Sequence, residues 1–258
     1  MRHAAAKEHT AAVATKHENE DDITRPYSGK TLPHATLYSN QKMQKMEPWL
    51  RALKQRNPSP NTEQFAFLES LAQRLHTEAQ NELEDSLRET MEEPMFDLIH
   101  GIPGAGKSLL ISWVREMFEE VMQWQHGVQF VCLGFQNAMA AHINGSTVHH
   151  WSGIPVGETD GASTTRDNNK LSARCQCLRF ILIDEISMIA AQLFGQLELV
   201  VRKVIRRRSI YKKRPNGSER PFGGVNVLMF GDWWQIKPVS GTALYANPVI
   251  ARSEVARH

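Results

Sequence analysis

Residues 101–108 have the residue types and the spacing of a loop that binds phosphate. The segment reads Gly-Ile-Pro-Gly-Ala-Gly-Lys-Ser, and its glycines let the backbone curl until successive N–H groups face one anion. Lys107 would neutralise the β- and γ-phosphates of a nucleotide, while the hydroxyl of Ser108 would bind Mg²⁺. The complete set of predicted phosphate-binding residues is Gly101, Pro103, Gly104, Ala105, Gly106, Lys107 and Ser108.

Two adjacent carboxylates, Asp184 and Glu185, follow a run of four apolar residues, 180–183. Such a run predicts a buried strand, and the carboxyl ends of parallel strands are where an α/β sheet places its ligands. Asp184 is expected to complete the Mg²⁺ shell, and Glu185 to orient or deprotonate an attacking water. An apolar strand that ends in Asp-Glu is a weak signal alone and a strong one when it follows a phosphate-binding loop.

Residues 230–235, Phe-Gly-Asp-Trp-Trp-Gln, form a third candidate segment, again at the end of an apolar run. Gln235 could contact the γ-phosphate or the attacking water and so sense hydrolysis. In the alternative interpretation, Asp232 caps a turn and the side chains of Trp233 and Trp234 pack in the core. Residue chemistry alone leaves both interpretations open.

The elements that must position these residues alternate between strand and helix. Short apolar runs predict strands, and apolar residues at helical spacing predict the helices between them. The predicted strands are 95–99, 128–133, 179–183 and 225–230, and the predicted helices are 107–122, 136–143 and 190–207. This alternation predicts an α/β fold, a mostly parallel sheet with helices on both faces. A polar loop is expected over 157–169, and a small hairpin turn at Asn216-Gly217.

Three regions are predicted along the chain. Residues 1–58 lack a sustained apolar period, so they are expected to form a disordered tail, with a short helix over 44–54 as the alternative within it. Asn61 and Gln64 have the N-cap and N3 spacing of a helix start. Residues 59–247 are therefore assigned to one nucleotide-binding lobe, and 248–258 to a C-terminal tail.

Composition excludes several classes of protein. Of 258 residues, 41% are hydrophobic and 22% charged, which excludes collagen-like and wholly disordered chains. The absence of a long apolar run and of a signal peptide predicts an intracellular protein with no membrane partner. Cys132, Cys175 and Cys177 are expected to be inert thiols. Residues 201–258 contain 12 Lys and Arg against 3 Asp and Glu, which fits either a polyanionic partner or a solvated surface.

Together, the candidate segments resemble motifs I, II and III of the Pif1 family of superfamily-one 5′-to-3′ DNA helicases. Motif I corresponds to 101–108, motif II to 184–188, Asp-Glu-Ile-Ser-Met, and motif III to 231–239, Gly-Asp-Trp-Trp-Gln-Ile-Lys-Pro-Val. Residues 145–149, Gly-Ser-Thr-Val-His, are similar to the segment after motif Ia, and 61–64, Asn-Thr-Glu-Gln, to the adenine-reading Q motif. The resemblance extends over residues 60–247. A RecD-like helicase lobe is the nearest alternative among enzymes.

The resemblance implies a RecA-like, P-loop motor lobe that binds ATP and Mg²⁺ and contacts single-stranded or forked DNA across the top of the sheet. It implies that Gln64 reads the adenine edge and that Gln235 couples the γ-phosphate to the DNA surface. The structural alternative for Gln64 is a helix-capping role. The roles implied for the family are DNA repair, recombination and telomere maintenance, in a nucleus or mitochondrion or in the cytosol of a prokaryote.

The resemblance also implies four DNA-facing residues. Thr147 and His149 would lie near the DNA backbone, and Trp233 or Trp234 would stack on a base. Their structural alternatives are local hydrogen bonding for the first two and core packing for the tryptophans. Motif Ia here reads Gln-Asn-Ala-Met-Ala, 136–140, where the family has Thr-Gly-x-Ala-Ala, so a customary DNA-facing hydroxyl is missing. Motif III has two tryptophans and Lys-Pro where the family has one aromatic residue and Pro-Pro.

A helicase of this superfamily needs a second RecA-like lobe, which supplies arginine fingers and a second grip on DNA. Arginine fingers contribute roughly 10³–10⁵ in rate. The 19 residues after Val239 are fewer than such a lobe of about 100–150 residues requires. The chain by itself is therefore expected to bind Mg-ATP, to hydrolyse it very slowly and not to unwind DNA. A non-catalytic module that binds single-stranded nucleic acid or supports assembly is the remaining alternative.

Overall fold

The fold is built on a five-stranded sheet in which all pairings are parallel. The computed structural model describes residues 38–83, 93–156, 168–205, 211–234, 236–238 and 241–246. The strands are β1 Phe96–His100, β2 Phe130–Gly134, β3 Ser146–Thr147, β4 Phe180–Ile183 and β5 Asn226–Gly231. Their order across the sheet is β1-β5-β4-β2-β3. Strand β5 thus lies between the strand that leads into the 101–108 loop and the strand that leads into Asp184.

Helices connect the strands and cover the sheet. They are α1 Asn40–Lys54, α2 Thr62–Leu83, α3 Lys107–Glu116, α4 Asn137–His142, α5 Val148–Ser152, α6 Asn168–Arg174 and α7 Ala191–Val204. A π-helical turn, Met117–Val121, continues α3, and short 3₁₀ turns occupy Ile186–Met188 and Pro221–Gly224. None of the helices in the described ranges is long and apolar enough to cross a membrane.

The two faces of the sheet are buried against two separate helical layers. Strands β2, β4 and β5 are buried along their whole length, which explains why their sequences are continuous apolar runs. Side chains alternate between faces along a strand. In β4, Phe180 and Leu182 therefore join the core under α1, α2 and α3, whereas Ile181 and Ile183 join the core that contains Leu197 of α7.

The predicted α/β fold with a parallel sheet and helices on both faces is confirmed. All four predicted strands are present, and α3 with its π-helical turn occupies the predicted 107–122 helix. The small hairpin at 216–217 is also present, since Lys213 and Glu219 pair in antiparallel fashion around it. Three short elements, β3, α5 and α6, were not predicted, because segments of two to seven residues carry too little periodicity.

The predicted tail, residues 1–58, needs correction over its last third. Helix α1 begins inside it with Ser39 as N-cap, and Trp49 and Leu53 are buried in the core. Tyr38 is also buried. The sequence signal was weak because only one face of α1 is apolar and Pro48 lies within it. Residues 1–37 and 247–258, which include the rest of both predicted tails, lie outside the described residues.

A buried ionic cluster ties α2 to the amino ends of β4 and β5. Glu78 of α2 is fully buried, and its carboxylate accepts hydrogen bonds from Arg179 Nη2 at 2.6 Å and from Asn226 Nδ2 at 2.7 Å. Arg74 lies 3.0 Å from the same carboxylate, and the hydroxyl of Tyr38 donates to it. Burial is the largest single influence and would raise the pKa of Glu78, but the charges of Arg179 and Arg74 and the hydrogen bonds from Arg179 and Asn226 together outweigh it, and the pKa falls to about 2.

The basic run of residues 202–214 also lies at the amino ends of the strands. Arg214 forms an ion pair at 2.8 Å with Glu93, which precedes β1, and Arg202 pairs with Glu198 at 3.1 Å. Lys212 is buried and donates to the Ile205 carbonyl at 3.0 Å. These basic side chains therefore have partners within the protein. Residues 206–208 lie outside the described part of the chain.

Two of the three cysteines have the inert character predicted from the sequence. None of the three forms a disulfide, and burial raises the pKa of both Cys132 and Cys175 to about 12. At neutral pH these two side chains remain protonated and unreactive.

Candidate nucleotide-binding site

The carboxyl ends of β1, β4 and β5 bring the three predicted segments together at one edge of the sheet. Strand β1 leads into the 101–108 loop, and the amide of Gly101 donates to the Gly231 carbonyl at the end of β5, 3.1 Å away. The loop then turns through Gly104 and Gly106, both with left-handed φ, of 78° and 83°. A side chain at Gly106 would also come within 2.8 Å of Gln64, so the sequence needs glycine there.

Lys107 is the first residue of α3, and its amine lies over the loop. The Nζ donates to the carbonyls of Gly101 at 2.6 Å and Ile102 at 3.3 Å. Residues 102–105 are exposed, so a phosphate can reach the loop from solvent. A cation held only by neutral carbonyls gains from exchanging them for phosphate oxygens, since charge-assisted hydrogen bonds are roughly twice as strong as neutral ones.

Asp184 and Glu185 face this loop from the end of β4. Asp184 is 6% exposed and accepts a hydrogen bond from the Glu185 amide at 3.0 Å. Burial raises the pKa of Asp184, and the opposing influence of that amide and of Lys107 and His142 is smaller. Burial and the charge of Asp184 raise the pKa of Glu185 as well. The two acids therefore carry negative charge that the surrounding protein only partly balances.

The backbone at this position is strained as well. Glu185 has φ 50° and ψ 49°, in the left-handed region that costs a non-glycine residue about 1–3 kcal/mol. Strain of this kind is typical of functional sites, where surrounding structure fixes a side chain in one orientation. Here it directs the chain into the 3₁₀ turn Ile186–Met188 immediately after the carboxylates.

The donor chemistry at this edge fits Mg²⁺. Ser108, exposed in the first turn of α3, offers a hydroxyl, and Asp184 offers a carboxylate. Mg²⁺ is a hard cation that usually takes one or two protein oxygens and completes its octahedron with waters and phosphate oxygens. The raised pKa of Asp184 supports this fit, because a divalent cation would supply the missing positive charge.

Gln64 connects the start of α2 to the phosphate-binding loop. Its backbone amide donates to Oδ1 of Asn61 at 2.8 Å, and its side-chain Oε1 accepts from the Asn61 amide at 3.0 Å, which completes a capping arrangement. The Nε2 donates to the Ala105 carbonyl at 3.1 Å. The helix-capping alternative thus describes this structure, and the same side chain touches the loop that would hold the nucleotide.

Thr147 and His149 lie at the carboxyl ends of the strands but bond locally. Thr147 is the N-cap of α5 and accepts from the His150 amide at 3.2 Å. The Nδ1 of His149 is 2.9 Å from the Ile154 carbonyl. Both side chains are half-buried, so each retains an accessible surface at the edge where DNA was predicted.

The structure separates the two tryptophans of the third segment. Trp233 is half-buried and its ring packs on Tyr245, with ring centroids 5.1 Å apart. Trp234 is 87% exposed, although exposed tryptophan is uncommon in soluble proteins. Trp234 therefore offers an accessible aromatic ring, whereas the ring of Trp233 packs on Tyr245 and helps to fix the segment 231–234. Gln235, the predicted γ-phosphate contact, lies outside the described residues.

Comparisons with known proteins identify the family to which this site belongs. A family model described as PIF1-like helicase matches residues 76–255. This chain belongs to the PIF1-like helicase family. The ATP-dependent DNA helicase PIF1 of Saccharomyces cerevisiae is 31% identical over 144 residues, which are 54% of this chain and 15% of that protein. The human ATP-dependent DNA helicase PIF1 is 30% identical over 143 residues, 54% of this chain and 19% of that protein.

Solved structures of PIF1-like helicases also resemble this chain. The Pif1 helicase from Candida albicans has a TM-score of 0.46 and 22% identity, over 63% of this chain and 34% of that one. A Bacteroides Pif1 described as bound to ssDNA has a TM-score of 0.41 and 25% identity, over 58% of this chain and 31% of that one. The chain spans less than a fifth of the length of the two curated PIF1 proteins named above.

Motif reasoning missed one contact of this candidate site. His100, the last residue of β1, lies with its Nε2 3.2 Å from Oδ1 of Asp232, which follows β5. Asp232 was considered only as a turn cap. The sequence did place a histidine directly before the phosphate-binding loop, but only the pairing of β1 with β5 reveals which acid it meets.

Proposed function

We propose that this chain is the nucleotide-binding motor lobe of a Pif1-type ATP-dependent DNA helicase. The observation that carries the proposal is the convergence of the 101–108 loop, Asp184-Glu185 and residues 231–234 at one edge of a parallel sheet. Family membership supports it, and the relatives named above are ATP-dependent DNA helicases. Mg-ATP would bind at this edge, and single-stranded or forked DNA beside it.

Each residue at the edge has a defined task in this proposal. Lys107 leaves the loop carbonyls for the β- and γ-phosphates, while Ser108 and Asp184 hold Mg²⁺. The ion, when bound, neutralises charge that develops on the phosphates. Glu185 orients the attacking water and accepts its proton, a role that a raised pKa favours. Gln64 would turn from Ala105 to the adenine edge, and Gln235 would contact the γ-phosphate.

The charges at the edge predict slow turnover. Within the part of the chain that the structure describes, Lys107, His142 and Asp232 are the groups whose charge acts on Asp184 and Glu185 besides the two acids themselves, and none of these is an arginine. Arginine fingers contribute roughly 10³–10⁵ in rate to phosphoryl transfer. We therefore expect the 258-residue chain to bind ATP with slow hydrolysis, and expect full activity to need a second RecA-like lobe that supplies such arginines.

DNA would lie across the same edge. Trp234 offers an exposed ring on which a base can stack, while Thr147 is the last residue of β3 and His149 follows it in α5. The basic run 202–214 is less suited to this role, because it lies at the opposite edge and its described members are largely paired. In the organism, we propose that the substrate is nuclear or mitochondrial DNA, or cytosolic DNA in a prokaryote.

Nucleotide binding tests the proposal first. A titration with fluorescent mant-ATP and Mg²⁺ should show saturable binding that Lys107→Ala weakens about tenfold to a hundredfold, the loss expected for a charge-assisted bond. Lys203→Ala is the matched control, since it removes an exposed lysine from α7 at the other edge. Absence of binding, or equal affinity in the Lys107 variant, would contradict the proposal.

A DNA-binding measurement tests the second part of the proposal, that single-stranded DNA lies beside the nucleotide. Fluorescence anisotropy of a fluorescein-labelled oligothymidylate should show binding that weakens with salt and with Trp234→Ala, but not with Leu199→Ala, another exposed apolar residue. Binding that ignores both ATP and the Lys107 substitution would instead favour the non-catalytic module. Rapid DNA-stimulated ATP turnover by this chain would contradict the expectation of slow hydrolysis.

A further inference from the structure

Asp232 is a buried acid whose partners connect two parts of the site. It is 2% exposed, and its Oδ1 accepts a hydrogen bond from the Trp234 amide at 2.9 Å. The second described partner of the same oxygen is Nε2 of His100, 3.2 Å away. Because a buried carboxylate is costly without hydrogen bonds or opposite charge, both partners help to fix the position of Asp232.

His100 is well placed to transmit movement of the phosphate-binding loop. It pairs with Gly231 in the β1–β5 register, so it lies directly beside the residue that precedes Asp232. The next residue along the chain is Gly101, whose carbonyl holds the amine of Lys107 at 2.6 Å. A phosphate that draws Lys107 away from Gly101 therefore acts one residue from His100.

Trp234 is the last residue in the series of contacts that begins at Lys107. Its amide is held by Asp232 while its ring is 87% exposed, so the position of Asp232 sets how the ring is presented. The contacts run without interruption from Lys107 through Gly101 and His100 to Asp232 and Trp234. A contiguous set of contacts of this kind can carry a structural coupling between two sites, which a measured effect of one site on the other must then demonstrate.

We propose that His100 is a positioning residue that, through Asp232, holds Trp234 in place and makes its position depend on the nucleotide. The nucleotide-dependent part rests on the proposed function, whereas the placement of Trp234 in the free protein does not. His100 touches neither nucleotide nor DNA in this role. The chemistry required at position 100 is an N–H donor that reaches Asp232, which glutamine can also provide and alanine cannot.

The test uses the full chain labelled with 5-fluorotryptophan and observed by ¹⁹F NMR. The protein has six tryptophans, so a Trp234→Phe variant assigns the resonance of Trp234. The compared variants are His100→Ala, His100→Gln and, as a control, His76→Ala on α2. In the free protein, His100→Ala should move the Trp234 resonance by more than its linewidth and leave the buried Trp113 and Trp124 resonances in place. His100→Gln and His76→Ala should leave the Trp234 resonance near its original shift.

The second arm adds Mg-ADP and oligothymidylate. Mg-ADP should shift the Trp234 resonance in the original protein and in His100→Gln, but not in His100→Ala, although all three bind the nucleotide with affinities within about twofold. DNA affinity should fall about fivefold or more in His100→Ala and recover in His100→Gln. Recovery by glutamine separates positioning from a general loss of structure.

Two results would overturn the inference. One is an unchanged Trp234 resonance in free His100→Ala, which would show that Asp232 holds the turn without help. The other is a nucleotide-induced shift of equal size in His100→Ala and the original protein. If the original protein fails to bind mant-ATP, the proposed function fails and the coupling fails with it, while the free-protein spectra still decide whether His100 positions Trp234.

Discussion

The two ends of the sheet treat buried charge in opposite ways. At the amino ends, Glu78 is surrounded by Arg179, Arg74, Asn226 and Tyr38, and its pKa falls to about 2. At the carboxyl ends, the charges of Lys107 and His142 only partly oppose the effect of burial on Asp184, and the charge of Asp184 adds to that effect on Glu185, so the pKa values of both acids are raised.

This contrast distinguishes charges that stabilise the fold from charges that suit a ligand. A buried acid with several donors contributes to a fixed structure, because each lone pair is used. A buried acid without such donors costs stability unless something outside the chain completes it. The unbalanced charge at the carboxyl edge is thus typical of a binding site. The fully paired charges at the amino edge instead hold α2 against the sheet.

The largest expected effect comes from breaking the amino-edge cluster. Glu78→Ala leaves Arg179 buried without its carboxylate, which should lower the free energy of unfolding by about 3–5 kcal/mol. Urea denaturation followed by circular dichroism measures this change. Glu47→Ala is the control: it breaks the exposed pair with Arg51 and should cost no more than about 0.5 kcal/mol. Equal losses in both variants would remove the distinction between buried and exposed pairs.

Lowering the pH should change the contributions of Glu78 and Asp184 to the free energy of unfolding in opposite directions. Because the folded pKa of Glu78 is about 2 against an ordinary 4.5, its stabilisation is complete above about pH 4.5 and is lost as the pH falls toward 2, by roughly 3 kcal/mol. Asp184 has a raised pKa, so its protonation relieves a cost as the pH falls. Unfolding free energies between pH 2 and 7 should therefore fall less steeply in Glu78→Gln and more steeply in Asp184→Asn than in the original protein. A common profile for all three would contradict the assignment.

Lys107 should matter for the ligand and not for the fold. Its amine contacts two carbonyls of an exposed loop, so Lys107→Ala should change the free energy of unfolding by less than about 0.5 kcal/mol. The same variant should lose about 1.5–3 kcal/mol of Mg-ATP binding. Isothermal titration calorimetry and urea denaturation of one preparation measure both quantities. A large loss of stability would indicate that the lysine supports the loop itself.

The smallest expected effect is a gain in the stability of the ligand-free protein on substitution of Asp184. Asp184→Asn removes a buried charge but keeps an oxygen that can accept from the Glu185 amide, so the ligand-free protein should gain about 0–1 kcal/mol of stability. Thermal unfolding without nucleotide measures it. The same variant should lose the dependence of nucleotide affinity on Mg²⁺. Destabilisation by more than about 1 kcal/mol would mean that Asp184 serves the fold as Glu78 does.

Much of the fold, and the position of the candidate nucleotide-binding segments within it, could be predicted from the sequence, because both depend on local patterns. The apolar runs of β2, β4 and β5 gave the sheet, and the spacing in 101–108 gave the loop between β1 and α3. The contacts that were missed link residues far apart in the chain. Glu78 meets Arg179 across 101 residues, and His100 meets Asp232 only because β1 pairs with β5.

The remaining differences had local causes. Helix α1 contains the short helix that was the alternative over 44–54, and it was not the first choice because its single apolar face is short and interrupted by Pro48. The sequence left the basic residues after 201 open between a polyanionic partner and a solvated surface, because it shows the charges but not that Glu93 pairs with Arg214 and Glu198 with Arg202. Motif spacing also could not separate Trp233 from Trp234, whose burial depends on contact with Tyr245.

The central claim is that the incomplete charge at the carboxyl edge is completed by a Mg-nucleotide. The most direct measurement is the free energy of unfolding with and without Mg-ATP at one hundred times its dissociation constant. We predict a stabilisation of about 2.7 kcal/mol in the original chain and in Lys203→Ala, and of only about 0.4–1.4 kcal/mol at the same nucleotide concentration in Lys107→Ala, whose affinity is expected to be tenfold to a hundredfold lower. An equal stabilisation of the Lys107 variant, or none in the original chain, would contradict it.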